Sequence, residues 1–260
     1  MTKYDIRESK VIKREEKWYI YITIEKKNDQ DKEEEEQQLS IQNILAIDLG
    51  VRHIAVTVNT ANTRPNFYGQ NLREIRGWYF WLRRKLGQKK GFYKIKALNN
   101  TEFLQVNHEL HIISRQIVEE AQMTNAIIVV GKLKGIRNRI KAADRRIKRL
   151  INNFPYYRLV QYIKYKAEWL GIKVIEVSEC YTSQTCHNCH TRDKAARRVQ
   201  GLYECKNCKV SCNADYNGSM NIMQRALGIL SSVGGTLTNP AEPLVIVERN
   251  KMITRESHIL

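Results

Sequence analysis

The segment Ile44-Leu-Ala-Ile-Asp-Leu-Gly50 indicates the architecture of this chain of 260 residues. Its apolar run over 44–49 predicts a strand, and Gly50 predicts a turn directly after it. Asp48 stands at the carboxyl end of that strand, although aspartate is depleted in strands and costly to bury. Open α/β sheets place their sites in the crevice at the carboxyl ends of their strands. Asp48 is therefore either a functional acid or a turn-forming aspartate.

The remaining regular elements are predicted in an α/β order. Helical spacing covers 70–121, treated as a helical insert, and 156–170, and a last core helix is expected over 213–228. Within 70–121, Val106, Leu110, Ile113 and Ile117 have the spacing of the core-facing stripe of a second helix. Further strands are predicted over 54–58, 126–130 and 172–177. Such an order favours an α/β fold over 41–180, with a mixed sheet that has parallel members and is flanked by helices.

Two flanking regions differ from this core in composition. The alternation in 17–25 predicts a half-buried strand, whose apolar face carries Trp18, Ile20, Ile22 and Ile24. Residues 26–38 form a polar, locally acidic stretch that is typical of an exposed linker, so we treat 1–40 as a separate region. Glycines and prolines after 228 predict an irregular tail over 229–260.

The charge of the chain points to a polyanionic partner. Lysine and arginine number 44 against 27 acidic residues, which gives a net charge of +17. This excess argues against a metabolic enzyme that works without a macromolecular partner and favours nucleic acid, although a merely soluble basic protein is the alternative. The expected contacts to nucleic acid are Arg83, Arg84, Lys89, Lys90, Lys134, Arg137, Arg145, Arg146, Arg197 and Arg198.

Neither a membrane span nor a secretory signal is recognisable. A spanning helix needs about 20 mostly apolar residues, and the longest clean apolar run is 126–130. The first residues lack the apolar stretch of a signal peptide. We therefore expect a cytoplasmic protein with no membrane partner, whose cysteines are kept reduced.

Two cysteine pairs give the strongest local signal. Cys186-His-Asn-Cys189 and Cys205-Lys-Asn-Cys208 are separated by 15 residues, a spacing typical of zinc sites. Each tight turn aims two thiolates at one ion, and four thiolates complete a tetrahedral, closed shell. The sequence thus predicts a structural zinc ribbon over 181–212. His187 and His190 are alternative ligands, whereas Cys180 and Cys212 fall outside the pattern.

A second acid stands in Cys212-Asn-Ala-Asp-Tyr-Asn-Gly-Ser-Met-Asn-Ile222. Asp215 is either an ordinary acid of a helix N-terminus or a functional partner of Asp48. Gly218 and Ser219 make a small-sided face one turn later, which would let the helix approach the sheet closely.

In their order along the chain, these motifs resemble those of the TnpB family. The matching residues are Asp48-Leu-Gly50, Asn107-His-x-Leu-His111 with Ile113-Ser114, Leu133-Lys-Gly-Ile-Arg137, Tyr165-Lys-Ala-Glu168, Thr182-Ser-Gln184 before the cysteine pairs, and Asn213-Ala-Asp215-x-Asn-Gly218. TnpB proteins are encoded by insertion sequences and were long regarded as transposases. The resemblance extends over about residues 10–225.

The resemblance implies a fold and an activity. TnpB proteins are RNA-guided DNA endonucleases with a RuvC-like, RNase H-type fold and a zinc ribbon, related to compact type V CRISPR effectors. The implied partners are DNA and a guide RNA. Three acids of the family hold Mg²⁺ or Mn²⁺, hard ions that prefer carboxylate oxygens. Two such ions activate a water and stabilise the leaving oxygen in phosphodiester hydrolysis.

One family acid is missing from its usual place. The family has a glutamate where this chain has Gly131, followed by Lys132. Either the site is inactive or another acid substitutes, and Glu179 is our candidate because it follows the neighbouring strand of the predicted sheet. Glu176 and Glu168 are weaker candidates.

The second departure from the family is length. TnpB proteins usually carry many more N-terminal residues, and 1–40 resembles only the last part of their wedge-like β region. Three hypotheses result: a metal-dependent nuclease that uses Asp48, Glu179 and Asp215, a catalytically inactive or truncated nucleic-acid-binding derivative, or an inert remnant of a mobile element.

Overall fold

The computed structural model describes residues 4–14, 16–26, 43–132, 154–199 and 201–233. The chain divides into two compact units, 1–41 and 42–260. None of the helices in these ranges is both long enough and apolar enough to cross a membrane.

The smaller unit is a β-hairpin. Strands β1 (Tyr4–Arg14) and β2 (Lys17–Lys26) pair antiparallel, with an irregularity between Ile6 and Ser9. The predicted strand is confirmed, but its predicted half-burial is wrong, since Trp18 is 68% exposed and Ile24 is 46% exposed. A two-stranded hairpin supplies no second layer of its own to cover its apolar face.

The larger unit is built on a mixed sheet with the strand order β5-β4-β3-β6-β7. The strands are β3 (Asn43–Asp48), β4 (Ala55–Asn59), β5 (Asn66–Tyr68), β6 (Ala126–Lys132) and β7 (Val174–Ser178). Strands β3, β6 and β7 run parallel, whereas β4 and β5 are antiparallel to their neighbours. The expected parallel pairing of 126–130 with 172–177 is confirmed.

Strand β3 is central because both of its faces are buried. Leu45 and Ile47 contribute to one core cluster, and Ile44 and Ala46 contribute to the other. This alternation follows from the two-residue period of a strand. A sheet with two buried faces needs helices on both sides, and the helices of this unit supply them.

In the described parts of the chain, three helices cover the first face of the sheet: α1 (Gln70–Gln88), α2 (Phe92–Met123) and α3 (Tyr156–Trp169). The predicted stripe on α2 is confirmed, because Leu110 and Ile117 are fully buried. They share a core cluster with Ile128 of β6. The later part of the segment predicted as a helical insert is therefore a core element, and it extends to Met123.

The last helix covers the opposite face. Helix α4 (Ala214–Val233) packs Ile222, Met223 and Ala226 against β3, β6 and β7. It extends beyond the predicted end at 228, so the irregular tail cannot begin at 229. Three short strands precede it in a separate small sheet: β8 (Arg197–Val199), β9 (Leu202–Glu204) and β10 (Ser211–Asn213).

One glutamate ties the antiparallel edge of the sheet to α2. The Glu120 carboxylate accepts hydrogen bonds from Thr57 Oγ1 at 3.0 Å, Asn66 Nδ2 at 2.9 Å and Tyr68 OH at 2.8 Å. Burial of Tyr68, followed by the charge of Glu120, raises the pKa of this tyrosine above its usual range. The phenol therefore stays a donor.

We expect Glu120→Ala to lower the free energy of unfolding by about 1–3 kcal/mol, because it leaves the donors of β4 and β5 without their acceptor. Glu119→Ala is the matched control, since Glu119 pairs with the exposed Arg115 one turn before it and such pairs contribute about 0–1 kcal/mol. Urea denaturation of both variants measures the difference. Equal losses would contradict a structural role for Glu120.

Candidate functional site

Asp48 lies at the end of β3, where α4 crosses the sheet closely. A Cβ atom on Gly218 would lie 2.5 Å from Asp48 Oδ2, so any larger residue at 218 would force the Asp48 side chain or the helix to shift. Gly218 therefore allows the close approach of α4 to the sheet, as expected from the small residues at 218 and 219. The helix brings its first turn, with Asp215, to the carboxyl end of β3.

Local capping fixes Asp215. The Asn213 Oδ1 accepts from the backbone N–H of Asp215 at 2.8 Å and of Tyr216 at 3.3 Å, so Asn213 caps α4. Ser219 Oγ donates to the Val56 carbonyl at 3.1 Å and anchors the same turn to β4. The Asp215 side chain is buried in this arrangement.

Glu179 follows β7 and turns back toward β6. A Cβ atom on Gly131 would overlap Glu179 Oε1, so the glutamate side chain occupies the space that a side chain at 131 would need. Arg225 of α4 holds this segment by donating to the Ser178 carbonyl at 2.6 Å and to the Cys180 carbonyl. The structure therefore brings Glu179 to the strand end where the glycine stands.

Electrostatic interactions connect the carboxylates of Asp48, Glu179 and Asp215. Burial and then the Asp215 carboxylate raise the pKa of Asp48 to about 7, against a smaller opposing effect of Arg197. Burial and then the charge of Asp48 raise the pKa of Glu179 to about 8. Burial and the charges of all three acids raise the pKa of Tyr156 above its usual range.

Several buried atoms at this site lack a hydrogen bond. Within the described ranges, the buried side-chain nitrogen and oxygen atoms without one are His53 Nδ1, Glu179 Oε1 and Asp215 Oδ2. Such atoms are rare because losing water without a replacement partner is costly. His53 Nδ1 lies 3.5 Å from Asp215 Oδ2, beyond hydrogen-bond geometry. Carboxylate oxygens that face inward without donors fit a bound cation.

The weaker candidates are engaged or remote. Glu176 pairs with Lys164 of α3 and opposes Val130 in the sheet, one residue before the glycine. Glu168 is exposed near the end of α3. Among these three glutamates, only Glu179 has a buried oxygen without a hydrogen bond.

The four predicted cysteines come together. The Sγ atoms of Cys186, Cys189, Cys205 and Cys208 all lie within 4.8 Å of one another. The pairs Cys186–Cys208 and Cys189–Cys205 are 3.6 and 3.5 Å apart. Four sulfurs around a zinc ion at the usual bond length would be about 3.8 Å apart, so the cluster could hold zinc. No other such group occurs in the described parts of the chain, so the three carboxylates are spaced more widely than the sulfurs.

The cysteine ribbon is fastened to α4 by amide side chains. Asn217 Nδ2 and Asn221 Nδ2 donate to the Thr185 carbonyl at 2.8 and 2.7 Å. The Asn217 Oδ1 also accepts from the backbone N–H of His187 at 3.0 Å and lies 3.0 Å from His187 Nδ1. The group of possible metal ligands contains the four cysteines and not this histidine. Asn217 thus joins the ribbon to the helix that carries Asp215.

The predicted basic contacts have different settings. Arg83 pairs with Glu102 between α1 and α2, whereas Arg84, Lys89 and Lys90 are exposed. Arg197 of β8 lies with Nη2 3.5 Å from Asp215 Oδ1, so the ribbon contributes a cation directly to the acid site. Arg198 is on the same strand. The predicted contacts outside the described residues are Lys134, Arg137, Arg145 and Arg146.

Comparison with known proteins identifies the chain's relatives. Residues 156–222 match the family model of the Cas12f1-like TNB domain. The chain is 31% identical over 241 residues to the CRISPR-associated endodeoxyribonuclease Cas12f1 of Sulfoacidibacillus thermotolerans, covering 84% of this chain and 53% of that protein. It is 25% identical to the TnpB-like protein MJ0751 of Methanocaldococcus jannaschii, covering 79% of this chain and 75% of the relative. These matches confirm the resemblance to the TnpB family and to the related type V effectors.

The solved structures agree at the level of the fold. A Cas12f1–sgRNA–target DNA complex superposes with a TM-score of 0.59 at 20% identity, over 83% of this chain and 55% of that protein. The predicted mixed α/β architecture is confirmed by this likeness. The chain spans about half the length of the Cas12f1 proteins it matches.

We expect the stability of the protein without added divalent metal to fall as the pH rises from about 4 to 8. Folding raises the pKa values of Asp48 and Glu179 to about 7 and 8, so the folded state binds more protons than the unfolded chain over this range. Asp48→Asn should make the fall shallower and raise the melting temperature at pH 8, whereas Glu74→Gln, an exposed control on α1, should leave it unchanged. Thermal melts across this pH range test the expectation, and a rise in stability toward pH 8 would contradict it.

Proposed function

We propose that this TnpB-type chain carries an RNA-guided, metal-dependent DNA endonuclease, with Mg²⁺ or Mn²⁺ held by Asp48, Glu179 and Asp215 on a RuvC-like core. One observation carries the proposal: the Glu179 side chain occupies the space left by Gly131, with a buried Oε1 that has no hydrogen bond. Decay of the family glutamate alone would leave that space to water or to apolar side chains.

The names of the relatives support the substrate class. Cas12f1 is named an endodeoxyribonuclease, and the superposed complex contains a guide RNA and target DNA. The net charge of +17 suits both polyanions. We therefore propose DNA and a guide RNA as partners, and the cytoplasm as the place of action.

The chemistry follows from the donor set. When bound, two divalent ions would supply an activated water and stabilise the oxygen that leaves phosphorus. Asp48 and Asp215 hold oxygens at the carboxyl end of β3, and Glu179 closes the site from β7. The Arg197 guanidinium, which is 40% exposed beside Asp215, can meet a phosphate oxygen and offset its charge.

We further propose that the cysteine cluster binds a structural zinc ion. A four-thiolate shell leaves no position for water, so the ion would have no catalytic part. The ion would instead stabilise the ribbon, which carries Arg197 and is hydrogen-bonded to α4 through Asn217.

The relocated acid is tested by Glu179→Gln beside the control Glu176→Gln. We expect Glu179→Gln to abolish Mn²⁺-dependent cleavage of labelled DNA and to weaken Mn²⁺ binding, followed by electron paramagnetic resonance, by at least about tenfold. Glu176→Gln should retain both. Unchanged Mn²⁺ binding in Glu179→Gln would refute the assignment. A folded wild type that binds DNA without cleaving it would favour the non-cleaving derivative.

The zinc is tested by elemental analysis. Wild-type protein and Cys180→Ser should contain one zinc ion per chain, whereas Cys205→Ser should lose it and melt at a lower temperature, since structural zinc contributes directly to folding. A metal-free wild type with the same melting temperature would contradict a structural zinc site.

A further inference from the structure

A strained tyrosine lies between the acid after β7 and the cysteine ribbon. Tyr181 has a φ of 64°, in the left-handed region that residues with a bulky side chain rarely adopt. Its carbonyl accepts hydrogen bonds from Gln184 N at 2.9 Å and from Thr185 N and Oγ1, both at 3.0 Å. Strain of this kind persists only where the surroundings impose it, and it gathers at functional sites.

The surroundings of this turn are rigid. The Thr185 carbonyl accepts from Asn217 and Asn221 of α4, so the residue that holds Tyr181 is itself held by the last helix. The turn begins at Glu179, whose carbonyl accepts from Thr182 Oγ1 at 3.1 Å. Tyr181 cannot relax its backbone without disturbing either the ribbon or the acid.

The Tyr181 ring is in contact with Arg192, and about half of the tyrosine residue is accessible to solvent. The Arg192 guanidinium carbon lies 3.2 Å from the ring centroid, and Arg192 Nε donates to Gln184 Oε1 at 3.4 Å. An isolated β-bridge pairs the backbones of Thr185 and Arg192, which places Arg192 beside the Tyr181 turn. The Tyr181 residue nevertheless remains 51% exposed.

We propose that Tyr181, backed by Arg192, is a stacking site for an unpaired nucleobase of the DNA strand that is cleaved. Aromatic rings and guanidinium planes stack on bases of any sequence, and a base inside a duplex already has both faces covered. Only Cys180 lies between Glu179 and Tyr181 in the sequence, so their Cα atoms are at most about 7 Å apart. The base would therefore lie close to the phosphate at the acids.

This inference rests on the proposed nuclease function, but its test does not require cleavage. In an Asp48→Asn background, without added divalent metal, the probe is a single-stranded DNA oligonucleotide that carries 2-aminopurine, whose emission falls on stacking. Tyr181→Phe retains the ring. Tyr181→Asn removes it while suiting the backbone better, because asparagine tolerates positive φ.

We expect the Tyr181 protein and Tyr181→Phe to quench the probe and bind it equally well. Tyr181→Asn should quench little and bind on the order of tenfold more weakly, with native zinc content and an unchanged or higher melting temperature. Binding of the matched duplex should not change. Equal quenching by Tyr181→Asn would overturn the proposal, as would the absence of quenching by the Tyr181 protein.

The same outcomes separate this inference from the nuclease assignment. Stacking that depends on Tyr181, in a protein whose wild type does not cleave, would leave the stacking site standing and remove the nuclease. DNA cleavage by the wild type, without stacking that depends on Tyr181, would leave the nuclease assignment standing and remove the stacking site. An RNA oligonucleotide of the same sequence is the third arm, and binding of RNA alone would overturn the assignment to DNA.

Discussion

The gathering of three carboxylates at one end of the sheet, against electrostatic repulsion, is the constraint on which the candidate site depends. Asp48, Glu179 and Asp215 sit on different elements, and burial and mutual repulsion raise the pKa values of the first two well above their usual range. No single helix or strand could hold such a group of charges. The parallel ends of β3 and β7 and the capped start of α4 hold it together, and Arg197 and Arg225 offset part of the charge.

Two glycines give this arrangement its room. Gly218 lets α4 pass Asp48, and Gly131 leaves the place that the Glu179 side chain fills. In both cases the missing Cβ atom, and not backbone flexibility, is what the site needs. We therefore regard Gly131 as a partner of Glu179 and not as the trace of a lost acid, in keeping with the function proposed for this chain.

The sequence predicted what local patterns encode. The apolar run before Asp48, the buried stripe of α2 and the spacing of the cysteine pairs depend on periods and on ligand chemistry, and the structure agrees with each of them. The prediction that the hairpin face is half-buried is wrong because alternation shows which residues share a face, but not whether another layer covers that face.

Long-range contacts could not be predicted in the same way. Glu176 and Glu179 differ little as sequence, and the sheet register with the turn after β7 separates them. His53 is not part of a recognisable sequence motif, so the sequence does not predict that it lies 3.5 Å from Asp215. Arg197 was expected to contact nucleic acid, but its place beside Asp215 depends on how the ribbon docks on α4.

The most direct test of the central claim is to move the third acid from position 179 to position 131, where the family has its glutamate. Gly131→Glu alone should not cleave DNA, since its side chain would overlap Glu179, and Glu179→Ala alone should not cleave because it lacks the third acid. The double variant, Gly131→Glu with Glu179→Ala, should recover metal-dependent cleavage above both single variants. If the double variant folds, binds zinc and remains as inactive as the single variants, while the wild type cleaves, the exchange of the two positions is refuted.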